Sequence, residues 1–305
     1  MIRRVALVLA LLLVPATAHA GAWTKEFGAY YAKVGGDYYK PAAYVDPETG
    51  EETTDAFFGQ SYSAYLELGV FPLWPIQISV LVPLSIGTVT FTDPKSFGDA
   101  TGRATTTRMG DLRVGVQGQL LKKTVQLSLG LEVKIPLYGN DRVGDEFSTF
   151  REIFPLPGDG QIDLNPWLHV GGAIPNTPVW MTGGAGYLHR ASTFIGWDTD
   201  LDFLDSITFT YTFGGTAGPV LVMFNLDGNK NFVDDAVTRE RLAVGPSVAV
   251  NVWRGLSISG RLQGEVWSRN ATQGVSFGFG VSYQRPNQHT RADEAEFTDA
   301  GDESP

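Results

Sequence analysis

The feature that most constrains this chain is an alternation of apolar and polar residues that recurs over most of its length. In residues 125–135 every odd position is Val, Leu or Ile, and every even position is small, polar or charged. Successive side chains of a β-strand point to opposite faces, so such a run predicts a strand with one apolar and one polar face. The same pattern recurs in residues 62–70, 76–86, 112–120, 207–213, 242–252, 256–266 and 275–283. The sequence therefore predicts an all-β fold.

The N-terminal residues have the pattern of an export signal. A short basic start, Met1–Arg4, precedes the apolar run Val5–Val14, and an Ala-x-Ala site ends at Ala20. This order is typical of a cleaved signal peptide, and the apolar run is too short to cross a membrane as a helix. We expect residues 1–20 to be removed. The sequence contains no cysteine, so an exported protein of this kind must be stabilised by packing, strand pairing or a membrane.

The links between the alternating runs are short and long in turn. Short links are expected at residues 71–75, 121–123, 175–178, 215–219 and 254–255, and long ones at residues 41–58, 92–107, 139–160, 192–205 and 227–239. Tight periplasmic turns and longer external loops are the wiring of an up-and-down transmembrane barrel. With a first strand at residues 27–39, we predict an antiparallel β-barrel of about twelve strands over residues 21–285.

Alternation alone leaves open which face is buried, because a soluble β-sandwich or a lipocalin-like carrier has the same pattern. Aromatic residues beside the short links, Phe71, Trp74, Trp180 and Trp253, suggest a girdle at a membrane interface. The polar face is rich in Gly, Ser, Thr and Gln, which suits a wet lumen. The candidate lumen-lining residues are Glu67, Arg113, Glu132, Lys134, Asp163, His169, Arg261 and Glu265.

The last twenty residues differ from the rest of the chain. Residues 286–305 are polar and acidic with few apolar side chains, which predicts a disordered periplasmic tail. The whole sequence contains 33 acidic and 23 basic residues, and this acidic excess argues against nucleic acid as a partner.

A search for catalytic and metal-binding patterns gives no site. The chain beyond residue 20 has three histidines, His169, His189 and His289, and no Gly-x-Ser-x-Gly motif accompanies them. Residues 227–235 begin like a calcium loop, but Phe232 stands at the sixth position and Thr238 at the twelfth. An ordinary external loop is the favoured interpretation, and calcium binding stays open. We expect no enzymatic activity, no cofactor and no metal.

Four segments carry a family resemblance. They are residues 21–24 (Gly-Ala-Trp-Thr), 110–115, 129–136 and 158–164. Together they resemble the outer-membrane proteins named for the phenol-degradation meta-pathway, a family of transporter barrels. The resemblance implies a barrel that passes hydrophobic or aromatic compounds, and it transfers no catalytic residue. The chain departs from many such barrels because the aromatic strand at residues 275–283 is followed by the acidic tail.

These observations lead to one functional expectation and several alternatives. We expect a channel in the cell outer membrane through which small solutes, including hydrophobic or aromatic ones, diffuse passively. A structural or adhesive barrel with a plugged lumen, acting through its external loops, is the main alternative. A barrel enzyme and a soluble exported binding protein are less favoured. The expected partners are outer-membrane lipid, the barrel assembly machinery and a small-molecule solute.

Overall fold

The computed structural model describes residues 22–45, 52–53, 56–92, 101–138, 160–194, 204–233, 238–269 and 273–285. Within these residues the chain forms fourteen strand segments. They are β1 (Tyr30–Val45), β2 (Glu52–Thr53), β3 (Ala56–Gly69), β4 (Ile76–Thr92), β5 (Thr101–Met109), β6 (Asp111–Lys122), β7 (Val125–Pro136), β8 (Gln161–Ala173), β9 (Val179–Phe194), β10 (Ser206–Ala217), β11 (Val220–Asn231), β12 (Glu240–Trp253), β13 (Leu256–Arg269) and β14 (Gln273–Arg285).

The strands close into one barrel. Each wall strand pairs antiparallel with the next along the chain, and β14 pairs back onto β1, with Tyr30 opposite Arg285. The two-residue β2 pairs only with the end of β1. Both β5 and β6 pair with β4, so together they form one wall strand that is interrupted at Gly110. The result is a closed, twelve-stranded, up-and-down antiparallel barrel, as predicted from the alternation.

Among the described residues, no helix has both the length and the apolar character needed to cross a membrane.

The apolar face of the barrel points outward. Leu129, Leu168 and Phe279 are 52%, 50% and 63% exposed, whereas the fully buried side chains include Ser128 and Gln161. This is the arrangement of a transmembrane barrel, in which lipid covers the apolar band and the interior is polar. A soluble barrel or sandwich would bury the apolar face, so that alternative is wrong for this chain.

The short links gather at one end of the barrel, here named the short-turn end. They comprise residues 70–75, 123–124, 174–178, 218–219 and 254–255. Asn176, Gly218 and Gly255 adopt positive φ angles, which tight turns require of their central residues. The opposite end, named the long-loop end, carries the other connections. The first residue of β1, Tyr30, and the last residue of β14, Arg285, both lie at the short-turn end.

Three of the predicted girdle residues face outward and one does not. Phe71, Trp74 and Trp253 are 49%, 72% and 64% exposed at the short-turn end. Trp180 is 5% exposed and packs edge to face against Trp23, so its assignment to the girdle is wrong. Its position after a proline-rich turn gives no signal of which face it occupies, because the alternation has only just begun there.

Several strands begin or end at residues other than those that the alternation predicts. β1 begins at Tyr30 instead of residue 27 because the chain turns at Gly28, which has a φ of 76°. β4 continues to Thr92, β5 begins at Thr101 and β11 reaches Asn231, inside predicted loops. Ladder hydrogen bonds join backbone groups, so pairing continues through polar residues that interrupt the apolar period.

Three predictions fall outside the described residues. These are the signal peptide at residues 1–20, most of the long connection at residues 139–160, and the acidic tail at residues 286–305.

Candidate solute pathway through the barrel

The barrel encloses an internal cavity of about 830 Å³. Its walls are the inward faces of the strands from β3 round to β12, and Trp23, which precedes β1, also lines it. The inward positions are set by the pleat: on β7 the residues Ser128, Glu132 and Lys134 share one face, and Leu129 and Leu131 share the other.

The structure brings most of the predicted lumen residues together. Six of the eight line the cavity: Glu67, Arg113, Glu132, Lys134, Asp163 and His169. The other two, Arg261 and Glu265, lie on the inward face of β13. Arg261 binds Asp37 of β1, with 2.6 Å between Nη2 and Oδ1.

The charges that line the cavity balance one another. Five are cationic and five are acidic, namely Arg113, Lys134, Arg190, Arg239 and Arg241 against Glu67, Asp111, Glu132, Asp163 and Asp227. An interior lined by both signs in equal number gives a solute of either charge little preference.

Two ion pairs among the predicted lumen residues differ in their exposure to the lumen. Lys134 Nζ lies 2.6 Å from Asp163 Oδ2, and both side chains are less than 10% exposed. Arg113 Nη1 lies 3.5 Å from Glu132 Oε1, with 48% and 34% of the two side chains exposed. The first pair belongs to the wall, where removing one partner would leave a desolvated charge. The second pair faces the wet interior, where its attraction is screened.

A second charged cluster lies on β11, β12 and β13. Arg241 contacts Asp227 at 3.3 Å and Glu265 at 3.8 Å, and Arg239 Nη2 lies 2.5 Å from Glu265 Oε1. Arg241 also interacts electrostatically with Arg113 of β6, a strand far from β12 in the wall. Cationic groups from different parts of the wall therefore approach one another inside the barrel.

The sequence does not predict this cluster, because the pattern of residues 227–239 favours an external loop that would contain both Asp227 and Arg239. Asp227 lies on β11, where Arg241 and Gln263 bind its carboxylate, and Asn229 Nδ2 donates to the Arg239 carbonyl. The loop interpretation of residues 227–231 is therefore wrong. The remainder of the calcium-like pattern, residues 234–237, lies outside the described residues. Within the described part of the chain, no three His, Cys, Asp or Glu side chains gather as metal ligands.

An aromatic pair lies on the inward face of β8. The rings of Trp167 and His169 are stacked, with centroids 5.3 Å apart and planes at 9°, and both line the cavity. Gly184 and Gly186 of β9 make this possible, because a Cβ at Gly186 would lie 2.8 Å from Trp167 Cδ2 and one at Gly184 would collide with the His169 ring. The pair supplies a flat apolar surface beside charged groups.

The sequence-adjacent residues His189 and Arg190 separate across the wall. Arg190 lines the cavity, whereas His189 is half exposed on the outward side and lies 3.1 Å from Asp205 through Nδ1. Burial opposes ionisation of Asp205, but hydrogen bonds from Tyr187, the Arg190 backbone and His189 hold the pKa of this carboxyl below its usual range. The arrangement joins β9 to the residue that precedes β10 near the long-loop end.

Solved structures with the same fold are outer-membrane channels. An outer-membrane channel from Pseudomonas putida F1 aligns with a TM-score of 0.65 at 9% identity, covering 88% of this chain and 100% of that chain. The chain therefore shares the fold of these outer-membrane β-barrels. The NanC porin aligns with a TM-score of 0.52 at 8% identity, covering 83% and 98% of the two chains. No family model matches the sequence. No curated protein matches it either.

Proposed function

We propose that this protein is a passive outer-membrane channel for small solutes, including hydrophobic aromatic ones. The observation that carries the proposal is the 830 Å³ cavity inside a closed barrel, lined by polar and charged side chains. A cavity with this lining offers a passing solute hydrogen-bonding groups in place of its water. The shared fold with an outer-membrane channel supports the same function.

The aromatic part of the proposal rests on two observations. The stacked rings of Trp167 and His169 give the cavity an apolar surface on which a flat solute can lie. The sequence segments at residues 21–24, 110–115, 129–136 and 158–164 resemble a family of transporter barrels linked to phenol degradation. Because acidic and basic groups are balanced in the lining, we expect weak ion selectivity.

The alternative is a structural or adhesive barrel whose lumen is plugged. The ion pairs of the lining favour it, because pairs such as Arg241 with Asp227 and Glu265 link neighbouring strands and fill part of the interior. The two functions differ in one measurable property, the passage of solute.

Liposomes containing the purified protein test the proposal. We expect a small aromatic solute and small sugars to enter faster than in protein-free liposomes. Neutralising the exposed lumen pair together, in Arg113→Gln/Glu132→Gln, should change that rate or the single-channel conductance.

A control neutralises an ion pair that lies outside the cavity lining. Lys230 Nζ lies 2.9 Å from Glu240 Oε1, and neither residue lines the cavity, so Lys230→Gln/Glu240→Gln should leave flux unchanged. Absence of flux for every solute, in protein whose heat-modifiable gel shift shows a folded barrel, would refute the channel and favour the structural barrel.

A further inference from the structure

The residues before the first strand fold back into the barrel. Residues 22–29, here named the N-terminal segment, precede β1 at the short-turn end. Ala22 is 0% exposed, and its backbone N–H donates to Thr182 Oγ1 of β9 over 3.3 Å. A Cβ on Gly171 of β8 would lie 3.0 Å from the Ala22 Cβ, so the segment lies directly against this part of the inner wall.

Further along, the N-terminal segment is anchored on other strands. Thr24 Oγ1 donates to Gln119 Oε1 of β6 over 3.2 Å. The Lys25 backbone N–H donates to Gln77 Oε1 of β4 over 2.9 Å. In the wall β9 and β4 are separated by β8, β7 and β6, so the four residues from Ala22 to Lys25 span a broad sector of the short-turn end.

Contacts that involve Lys25 and Gly69 hold the N-terminal segment against β3. Lys25 is 3% exposed, with its Nζ 3.8 Å from Glu67 Oε2 and 5.5 Å from the centroid of the Tyr31 ring. Burial lowers the pKa of the Lys25 ammonium, and the Glu67 carboxylate opposes that shift. Gly69 is required for the close approach, because any Cβ there would collide with the carbonyl oxygen of Glu26.

Trp23 is the second residue of the N-terminal segment and forms part of the cavity lining. Its ring packs edge to face on Trp180, with centroids 6.1 Å apart and planes at 87°. The largest side chain of the segment is therefore held inside the barrel at the short-turn end, where it takes up cross-section that solute would otherwise use.

From these contacts we infer that the N-terminal segment is the size-selecting constriction of the barrel. Trp23 and Lys25 set the largest molecule that can enter or leave the lumen through the short-turn end. As a statement about solute selection, the inference rests on the proposed channel function.

The anchors are of a kind that suits a selectivity element. The hydrogen bonds of Ala22, Thr24 and Lys25 go to side chains of the wall and not to its backbone ladder. Each such bond makes only a modest net contribution to stability, so residues 22–25 can be altered without opening the strand pairing that closes the barrel.

The test compares two tryptophan substitutions at the same end of the barrel. Trp23→Ala removes the ring that lines the cavity, whereas Trp253→Ala removes an outward ring that is 64% exposed. A third variant, Gln77→Ala/Gln119→Ala, removes two anchors of the segment. In liposome swelling with sugars of increasing size, the first and third variants should admit larger sugars than the parent protein, and Trp253→Ala should not.

A second readout does not depend on flux. Because the chain has no cysteine, Ser79→Cys places a single thiol on the cavity wall opposite Glu67, close to Lys25. Maleimides of increasing size should label this thiol several-fold faster, and up to a larger reagent, when Trp23→Ala is added, and Trp253→Ala should have no such effect. The heat-modifiable gel shift confirms that each variant is folded.

The outcomes separate the two proposals. Unchanged size limits in both swelling and labelling for Trp23→Ala and Gln77→Ala/Gln119→Ala would overturn the constriction. Faster labelling in these variants without flux in any protein would support the constriction and refute the channel.

Discussion

At the residue scale, neighbouring positions of one strand face two different solvents. Ser128 is fully buried, and its hydroxyl accepts a hydrogen bond from Gln117 Nε2 over 2.6 Å, whereas Leu129 is 52% exposed on the outward face. The apolar band meets lipid and the inward face meets water and paired charges. A single substitution therefore has opposite consequences on the two faces.

We predict that Leu129→Arg destabilises the folded barrel by about 2–4 kcal/mol, because it places a charge in the apolar part of the bilayer. Thr210→Arg, on a β10 side chain that lines the cavity, should have a much smaller effect. The measurement is urea-induced unfolding in lipid vesicles, followed by the heat-modifiable gel shift. Equal losses of stability for both variants would contradict the assignment of the two faces.

At the element scale, the hairpins at the long-loop end extend further than the apolar alternation indicates. β11 includes Asn229, whose side chain donates to the Arg239 carbonyl inside the barrel. An insertion at Asn229 would therefore disturb the wall. The connection between Val233 and Thr238 is the better place for a tag.

We predict that an epitope tag between Val233 and Thr238 is labelled by antibody on intact cells, because this connection joins β11 to β12 at the long-loop end, which lies outside in such barrels. A tag at Asn176, in the turn between β8 and β9, should be labelled only after the outer membrane is permeabilised. Both tagged proteins must retain the heat-modifiable shift. Labelling of Asn176 on intact cells would reverse the orientation of the barrel.

At the scale of the whole molecule, closure depends on the pairing of the first and last strands. β14 pairs with β1 from Tyr30 opposite Arg285 to Ala43 opposite Gln273, and this ladder removes the two free edges of the sheet. In the membrane no water is present to satisfy such edges, so closure is a condition for stability.

We predict that deleting residues 286–305 leaves a closed barrel, because the pairing with β1 ends at Arg285. Deleting residues 273–305, which removes β14 as well, should abolish the folded, heat-modifiable form in outer-membrane fractions. If the shorter deletion also abolished it, the acidic tail would be required for assembly or stability.

Where the alternation is regular, the sequence alone indicates which side chains of a strand share a face. Glu67, Glu132, Lys134 and His169 were assigned to the lumen from period two, and they line the cavity. The face on which a side chain lies is a local property of the strand, because successive side chains point to opposite faces. The number of wall strands is also predicted from local patterns, because the alternating runs can be counted along the sequence.

What the tertiary structure alone decided are the contacts between residues far apart in the chain. Arg261 meets Asp37 across 224 positions, and the backbone of Ala22 meets Thr182 across 160. These contacts depend on the register between strands and on barrel closure, which join elements that no local pattern connects. The sequence therefore does not predict where the N-terminal segment binds. Trp23 and Lys25 lie outside the alternating runs, and the barrel wall into which they fold determines their contacts.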